Sequence, residues 1–394
     1  MKIAVVGTGI AGLSAAYVLA REHDVELFDG NDYPGGHTHT VDVGSLAIDT
    51  GFIVHNTPNY PLLTRFLAEL GVATRPTVMS FSMTCACGAS WSSRRPWRAK
   101  RLLLEMVRFL RTAGAADTEG KTFDRLLRDE GYSDSFRWHY LVPMTSALWS
   151  TAPGQALDFP AAFGVEFFRN HGMLGLHRHR WRSIVGGSRA YVRAALDRID
   201  APLHLGLPVR SVVRAGDGIE LRTADDRSRR FDSAVIATHA PTALALLEQP
   251  TVGERRLLGA FAVTENEVVL HSDARLLPRG ASDRSGWNYQ SPGCGVDADH
   301  ATVTYSMNRL QSLDAPVEWC VTLNRTAEID PEAIEGVFRY DHPQMSFAAL
   351  AAQPELATLN TDRLAFAGAW QGYGFHEDGI RSGIAAAASL GVTW

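Results

Sequence analysis

Lysine is almost absent from this chain of 394 residues: it occurs at Lys2, Lys100 and Lys121, so nearly all the positive charge is arginine. Cysteine is scarce too, with Cys85, Cys87, Cys294 and Cys320 the whole set. Cys85 and Cys87 stand two apart in a strand-like stretch and so share a face, but they lack the spaced His or Cys partners of a zinc site. We therefore expect reduced, structural thiols in a reducing compartment, and no metal. No apolar run is long enough to span a bilayer. The N-terminus has one lysine and then a glycine-punctuated strand and helix, not the unbroken apolar stretch and small-residue cleavage site of a signal peptide. These absences point to the cytoplasm. No low-complexity tract or repeat of fixed period is present, and a formal net charge of -5 argues against nucleic acid as a main partner.

The composition is that of an ordinary globular protein, with 45% hydrophobic and 21% charged residues. The length exceeds one ordinary core, so two intertwined domains are expected. Lys2 to Val6 is a short apolar run, Ile10 to Arg21 has helical periodicity, and Val25 to Asp29 is apolar again. Together they form a strand-helix-strand unit of the usual size. Further along, Asn59 to Leu70 reads as a helix that Gly71 stops, Val78 to Trp91 as a strand, and Arg94 to Arg111 as a basic, helix-prone segment. Thr122 to Glu130, Pro160 to His171 and Tyr191 to Ile199 also read as helices. Short strands follow at Val209 to Arg214, Ile219 to Arg222 and Ser233 to Thr238. Residues 260 to 325 read mostly as strands, Leu364 to Ala367 as a last strand, and a final helix starts near Gly379.

The first unit carries Gly7, Gly9 and Gly12 between strand and helix. Gly7 permits the tight turn, Gly9 lets the backbone approach a pyrophosphate, and Gly12 lets the helix pack on the sheet. The helix N-terminus, at Ile10 and Ala11, offers free N–H groups to phosphate. Asp29 closes the second strand, where it can accept from a ribose hydroxyl. This is a dinucleotide site, and the motif by itself does not choose between NAD and FAD.

The segments that follow do choose. Gly35-Gly36 comes shortly after Asp29, and Ile48-Asp49-Thr50-Gly51, Val209, Ala237-Thr238-His239 and the stretch 366 to 383 continue the pattern. Here the chain resembles the flavoprotein superfamily of amine oxidases, protoporphyrinogen oxidases and phytoene desaturases. The resemblance implies an α/β fold with a discontinuous Rossmann-like FAD-binding domain of glutathione-reductase type. It assigns residues 1–75, 185–250 and 355–394 to that domain, and 76–184 and 251–354 to a mixed sheet-plus-helix substrate domain. It implies FAD contacts from Gly7, Gly9, Ile10, Ala11, Gly12, Asp29, Gly35, Gly36, His37, Thr38, Gly51 and Phe52. Val209, Ala237, Thr238, Gly368, Ala369, Asp378, Gly379 and Ile380 complete the set, with the N–H groups of Gly379 and Ile380 at the flavin edge. No cysteine lies in the C-terminal motif, so the FAD is expected to be non-covalent.

A nearer resemblance is to a bacterial family of FAD-binding proteins with the stretch Gly36 to Thr40 and the ending Gly374 to Gly379. Pro143-Met144 to Trp149 and Tyr305 to Gln311 look familiar from the same family. It is associated with cyclopropane-type fatty-acid methyltransferases, and so implies an acyl-chain or other small-molecule or lipid substrate and a methyltransferase partner. The chain departs from the amine oxidases in three ways. His37 stands where they carry arginine, His376 where they place an aromatic ring, and no lysine falls in a segment matching their lysine near the flavin.

The chemistry candidates are His376 and Glu377, either of which can take a proton from substrate. Asp378 fits a helix cap or a ribityl contact. Trp370, Tyr373, Phe375 and Trp149 are expected to wall an apolar pocket. His37, His39 and His55 lack metal-site spacing. The segment 94–111 can lie on an anionic surface at the inner membrane face. The expected activity is dehydrogenation or desaturation of an apolar chain. Amine oxidation, redox-neutral isomerisation and a non-catalytic FAD-binding partner of a methyltransferase are the alternatives.

Overall fold

The computed structural model describes residues 1–173, 179–295 and 298–394, the Arg98 side chain excepted. Its organising element is a five-stranded parallel sheet in the order Leu203–His204, Asp24–Phe28, Lys2–Val6, Ser233–Ile236 and Leu364–Phe366. The strands come from the beginning, middle and end of the chain, so the sheet is discontinuous in sequence. Parallel strands covered on both faces need apolar side chains at every position. Ile3, Ala4, Val5, Ala234, Val235 and Ile236 meet that need with no exposed surface.

The helix Ile10–Leu19 crosses from the first strand and is buried on nearly all sides. It packs along the final helix, His376–Ser389. Glycine makes their approach close. A Cβ at Gly383 would lie 2.1 Å from Ser14 Oγ and 2.2 Å from the Ala11 carbonyl, and one at Gly379 would lie 2.6 Å from Ile10 Cγ2. Gly12 is as tightly held, with the Gly7 carbonyl 1.8 Å from where its Cβ would be.

A second, seven-stranded sheet runs Ile334–Gln344, Ala262–His271, Cys320–Leu323, Val303–Ser306, Trp287–Ser291, Phe81–Cys85 and Ser90–Ser92. Only the pair Trp287–Ser291 and Phe81–Cys85 within it is parallel. The helices Lys100–Thr112, Phe123–Asp129, Val142–Trp149 and Ala161–Asn170 cover it. Their contact is largely aromatic: Phe109 packs on Phe136, Phe123 stacks on Phe159 and Phe168, and Trp149 packs on Phe159 and Phe167. Such ring pairs add about 0.5–1.5 kcal/mol each beyond the area they bury.

Several expectations shift. The strand expected over Val78 to Trp91 is a hairpin, because Gly88 turns at φ +92° and its N–H donates to the Cys85 carbonyl at 2.9 Å. The basic segment breaks at Pro96–Arg98 before the helix Lys100–Thr112 begins. The last helix starts at His376, three residues before Gly379, which places His376 and Glu377 in its first turn. The eleven-residue strand Ile334–Gln344 has no counterpart in the sequence reading, since Asp341, His342 and Pro343 break its apolar alternation.

The close helix pair gives a test. On helix propensity alone, Gly383→Ala stabilises by about 1 kcal/mol. Here the added methyl has no room, so overpacking at a cost of roughly 1–3 kcal/mol reverses the sign. Thermal unfolding is expected to show a lower Tm for Gly383→Ala and almost none of that loss for Gly114→Ala, whose added methyl meets open space. An unchanged or raised Tm in Gly383→Ala means the two helices do not approach as described.

Candidate active site

A cavity of about 1420 Å³ runs from the carboxyl ends of the parallel strands to the face of the large sheet. At the strand end it is bounded by Gly7 to Ala11, Asp29, Gly35 to His37, Ala237 to His239 and Gly368 to Trp370. Gly7 makes its turn at φ +101°, and its N–H donates to the Phe28 carbonyl at 2.8 Å. The first bond of the helix is Leu13 N–H to the Gly9 carbonyl at 2.9 Å. The N–H groups of Ile10, Ala11 and Gly12 therefore have no partner within the helix, and with the helix dipole they favour an anion. Gly9 has open space where a Cβ would sit, while a Cβ at Gly36 would lie 3.2 Å from the Gly9 Cα. This is a cradle for a phosphate group.

Asp29 borders the cradle. Its Oδ2 accepts from the Thr8 N–H at 2.8 Å and the Thr8 hydroxyl at 2.5 Å, and its Oδ1 accepts from the Asn31 N–H at 2.9 Å. A carboxylate offers about four lone-pair sites, so capacity remains for a ribose hydroxyl. The Thr8 hydroxyl in turn accepts from the Gly35 N–H at 3.1 Å and ties the two glycine motifs together.

The middle of the cavity is rich in histidine. His37 lies beside His239 and His342, with ring centroids 5.6 and 5.5 Å away. His37, His342 and His376 touch the cavity void but lie below the outer surface. Loss of hydration pushes His37 down to about 4 and His342 down to about 3, and holds His376 well below its ordinary value. Each positive charge would also repel its histidine neighbours, so these rings are neutral. The His376 ring stacks on Phe52 at 3.6 Å, and its Nε2 meets Thr38 Oγ1 at 2.9 Å and Tyr191 OH at 3.1 Å.

Asp49 fastens this region from behind. Fully buried, its Oδ1 accepts from the Ser188 N–H, the Ser188 hydroxyl and the Thr40 hydroxyl at 2.8, 2.8 and 2.6 Å. Its Oδ2 accepts from Gln311 Nε2 at 2.9 Å, while its N–H donates to Gln311 Oε1 at 2.9 Å. Burial raises its pKa to about 6 against the pull of these donors. Gln311 belongs to a stretch the sequence singled out only by resemblance, and no local pattern tells that it pairs with Asp49.

Beyond the histidines the cavity becomes an apolar chamber, walled by Phe81, Leu103, Met106, Met144, Leu148 and Trp149. Trp149 and Phe375 line the cavity: the Trp149 indole N–H donates to the Tyr373 carbonyl at 3.1 Å, and Phe375 stacks on Phe167 at 5.0 Å. Four expectations need correction. Glu377 is not on the cavity wall; its two oxygens accept from the Leu62 and Leu63 N–H groups, both at 3.0 Å, and so cap the helix Pro61–Glu69. Trp370 packs edge-on against Phe261 and donates to the Thr238 carbonyl at 3.0 Å, on the strand side of the cavity and not in the chamber. Tyr373 lies behind the wall against Phe163 at 4.7 Å. Val209 opens the strand Val209–Ala215 and does not line the cavity.

Other sites act indirectly. The Gly379 N–H donates to the Phe375 carbonyl at 3.1 Å and is not free for a ligand. Asp378 accepts from the Phe375 N–H at 3.1 Å, the cap expected as one of its two roles. Gly12 and Ile380 are buried in packing, and Thr38 reaches the cavity through His376. Gly51 crosses beneath His37, whose carbonyl would stand 2.1 Å from a Cβ there. Asp341, His342, His239 and Tyr340, which the sequence did not single out as site residues, line the cavity from the strand Ile334–Gln344 and the turn after Ser233–Ile236. Arg98 lies outside the residues whose side chains are described.

The family model for flavin containing amine oxidoreductases matches residues 10–272. A Mycobacterium tuberculosis chain named as a flavin-containing monoamine oxidase is 26% identical over an alignment of 266 positions that covers 60% of this chain. The match takes in 56% of that relative, so this chain spans just over half its length. A solved structure from Exiguobacterium, named as a protoporphyrinogen oxidase, aligns with a TM-score of 0.71 at 13% identity, over 99% of this chain and 98% of that chain. A CLA-producing fatty acid isomerase from P. acnes aligns with a TM-score of 0.69 at 15% identity, over 97% of this chain and 96% of that chain. These structural matches establish a mixed α/β fold with a Rossmann-like FAD-binding part, and at such identities they establish the fold alone.

The neutral histidines set the response to acid. His37, His55 and His171 fall to about 4 and His342 to about 3, against 6.5 for the free side chain. The unfolded chain binds more protons between those limits, so the stability these residues give is full above about pH 6.5 and is lost as pH falls toward 4. Asp49 and Asp378, raised to about 6, work the other way, because the folded chain holds their protons more tightly as pH falls. With His271 also lowered to about 4, five histidines oppose these two carboxyls, so Tm is expected to fall as pH drops from about 7 to about 5. A Tm that holds or rises across that range contradicts the neutral state of the histidines.

Proposed function

Because the chain belongs to the flavin containing amine oxidoreductase family and is an FAD-dependent oxidoreductase, we propose that it dehydrogenates or desaturates an apolar, acyl-chain-like substrate held in the chamber. One observation carries this reading: the phosphate cradle and the apolar chamber are two ends of a single cavity, with His376 on its wall between them. The volume exceeds the ~300–1,000 Å³ of an ordinary ligand pocket, leaving room for a dinucleotide and a chain together.

The cradle residues fit FAD. The N–H groups of Ile10 and Ala11 would meet its phosphates, Asp29 would meet a ribose hydroxyl, and the backbone of Gly36, His37, Gly51, Phe52 and Ala369 would bound the rest of it. Bound FAD supplies the two-electron acceptor. The protein supplies position, a dry environment and proton handling. Leu103, Met106 and Leu148 remove water from an acyl chain. A neutral imidazole has one nitrogen free of a proton, so His376 can accept one, and Thr38 and Tyr191 fix the ring at Nε2. With no cysteine in the C-terminal motif, the FAD is held without a covalent bond.

A charged amine fits the chamber poorly. Its walls are apolar, and leaving an ammonium unpaired among them is costly. Glu265, which lines the cavity, is paired with Arg339 at 3.5 Å. At the chamber's outer side Val78, Trp97 and Leu104 are exposed beside Arg94, Lys100 and Arg101, a surface suited to an anionic bilayer that would deliver lipid.

The protein as purified is expected to show a flavin spectrum and to release FAD on denaturation. A chromophore that stays with the denatured chain refutes non-covalent binding. Under anaerobic conditions, acyl lipids are expected to bleach the flavin with loss of hydrogen from the chain, and amines are not. Bleaching by amines alone establishes amine oxidation in its place. His376→Gln is expected to keep its FAD and to slow acyl-dependent bleaching by roughly 10²–10⁴-fold, the usual weight of a general base. An unchanged rate removes His376 from the chemistry.

A further inference from the structure

The cysteines set aside in the sequence meet in space. Cys85 ends the strand Phe81–Cys85, and Cys87 follows in a hairpin turn closed by the Cys85 N–H donating to the Ala89 carbonyl at 2.9 Å. The parallel neighbour Trp287–Ser291 ends level with Cys85, where the Ala86 N–H donates to the Ser291 carbonyl at 3.1 Å. The Ser291 hydroxyl, bonded to the Gly293 carbonyl at 2.9 Å, turns the chain so that Cys294 comes back over the hairpin. His139 comes from a third place, the widened helical turn Arg137–Leu141.

The four ligand atoms lie within 4.8 Å of one another. His139 Nε2 stands 3.1 Å from Cys294 Sγ and 3.4 Å from Cys87 Sγ, and Cys85 Sγ stands 3.9 Å from Cys294 Sγ. Around a tetrahedral zinc ion, with bonds of about 2.3 Å to sulfur and about 2.0–2.1 Å to nitrogen, sulfurs stand roughly 3.8 Å apart and sulfur from nitrogen roughly 3.5 Å. The 3.9 Å between sulfurs and the 3.4 Å from Cys87 to the imidazole lie close to those edges, the 3.1 Å to Cys294 is shorter, all four atoms stay within 4.8 Å, and the 3.9 Å between the Cys85 and Cys294 sulfurs is too long for a disulfide, whose sulfurs are about 2.0 Å apart. The imidazole is oriented as in known zinc sites, with the far nitrogen hydrogen-bonded: Nδ1 meets the Ser135 hydroxyl at 3.1 Å, and Nε2 faces the sulfurs. The backbone is anchored too, since the Trp91 indole N–H donates to the His139 carbonyl at 2.5 Å.

We propose that Cys85, Cys87, His139 and Cys294 form a structural zinc site of the Cys3His type. Three thiolates and one imidazole close the coordination sphere, which leaves no position for a water and so no hydrolytic role. Binding takes one Zn²⁺ and releases the three thiol protons to solvent, with no change of oxidation state. Cys87 and Cys294 are exposed and give the ion a way in; Cys85 and His139 are buried. The ion would tie the hairpin to the turn that precedes the helix Val142–Trp149. Phe81, Tyr140 and Met144, all from these tied segments, line the chamber. The local spacing hides this site because its partners are remote: His139 is 52 residues from Cys87, and Cys294 is 209 residues from Cys85.

The test uses the full chain, purified without chelator from zinc-supplemented cells. Metal analysis is expected to give one zinc per chain that survives dialysis. Replacement by cobalt should bring the charge-transfer absorption of a tetrahedral thiolate site. Cys87→Ser and Cys294→Ser should lose nearly all the zinc, while Cys320→Ser, outside the cluster, keeps it. Wild-type protein that carries no stoichiometric zinc overturns the proposal, whether its thiols react freely with Ellman's reagent or peptide mapping finds Cys85 and Cys294 disulfide-linked. Zinc lost from Cys320→Ser but kept in Cys87→Ser overturns it as well. If a serine variant fails to fold, the wild-type zinc content and cobalt spectrum still decide the matter.

Discussion

The site depends on how closely two helices from opposite ends of the chain can approach. Gly379 and Gly383 let the helices Ile10–Leu19 and His376–Ser389 meet with backbone against side chain where any Cβ would collide. That contact fixes residue 376 relative to residues 7 to 12, more than 360 positions away in sequence. Everything in the candidate site follows from it. The phosphate cradle is set at the start of one helix, and His376 at the start of the other. The same contact explains why the two acids after His376 do not face the cavity. In the first turn of a helix so placed, Glu377 points to the Pro61–Glu69 helix and caps it, and Asp378 folds back on its own backbone.

The buried polar groups form a second layer of constraint. Asp49 is a charge-bearing group with no cation hydrogen-bonded to it, met by four donors from Thr40, Ser188 and Gln311. An unsatisfied member of such a group costs about 1–3 kcal/mol, so the network holds only if all three partner segments are in place. Those segments come from the first sixty residues, the helix Arg189–Ile199 and the short helix Met307–Leu310. The network therefore works as a register lock between the two sheets. It explains why Gly187 must be glycine, since a Cβ there would lie 2.5 Å from the Thr40 side chain at φ +82°.

The parts of this arrangement legible in sequence are those with local causes. The turn at Gly7, the Asp29 position and the strand-helix-strand unit follow from spacing over thirty residues, and the structure has them where the spacing puts them. Phe375 could be named because aromatic residues crowd the stretch 366 to 383, although Trp370 and Tyr373 of the same stretch point elsewhere. What was not legible has remote causes. The strand Ile334–Gln344 carries polar residues because one stretch of it faces the cavity, which breaks the alternation that marks a half-buried strand. Glu377 looks like His376 in sequence, and only the helix Pro61–Glu69 shows that its carboxylate is taken up as a cap, while Asp378 caps its own helix, one of the two roles its position suggests. The residues of the proposed zinc site share no local spacing, because a parallel strand pair and a helical turn bring them together.

The histidines give the cavity its electrical character. Where the resemblance leads one to expect arginine, His37 stands among His239 and His342, and burial holds all three below their ordinary pKa. An arginine at that point would bring a permanent cation; His37 brings none near neutral pH. The negative charge of a dinucleotide must then be met mainly by the unspent N–H groups and dipole of the helix Ile10–Leu19, a contribution of about 0.3–1 kcal/mol, rising to ~2 where partly buried. That is modest, so retention of the cofactor rests on the glycine-built shape of the cradle more than on charge. The same neutrality serves the chamber beyond. A cation at residue 37 would hold water near it, and an acyl chain gains from burial only where water leaves. Replacing arginine by a histidine too deeply placed to be charged thus joins a phosphate site and an apolar chamber in one cavity without a hydrated ion between them.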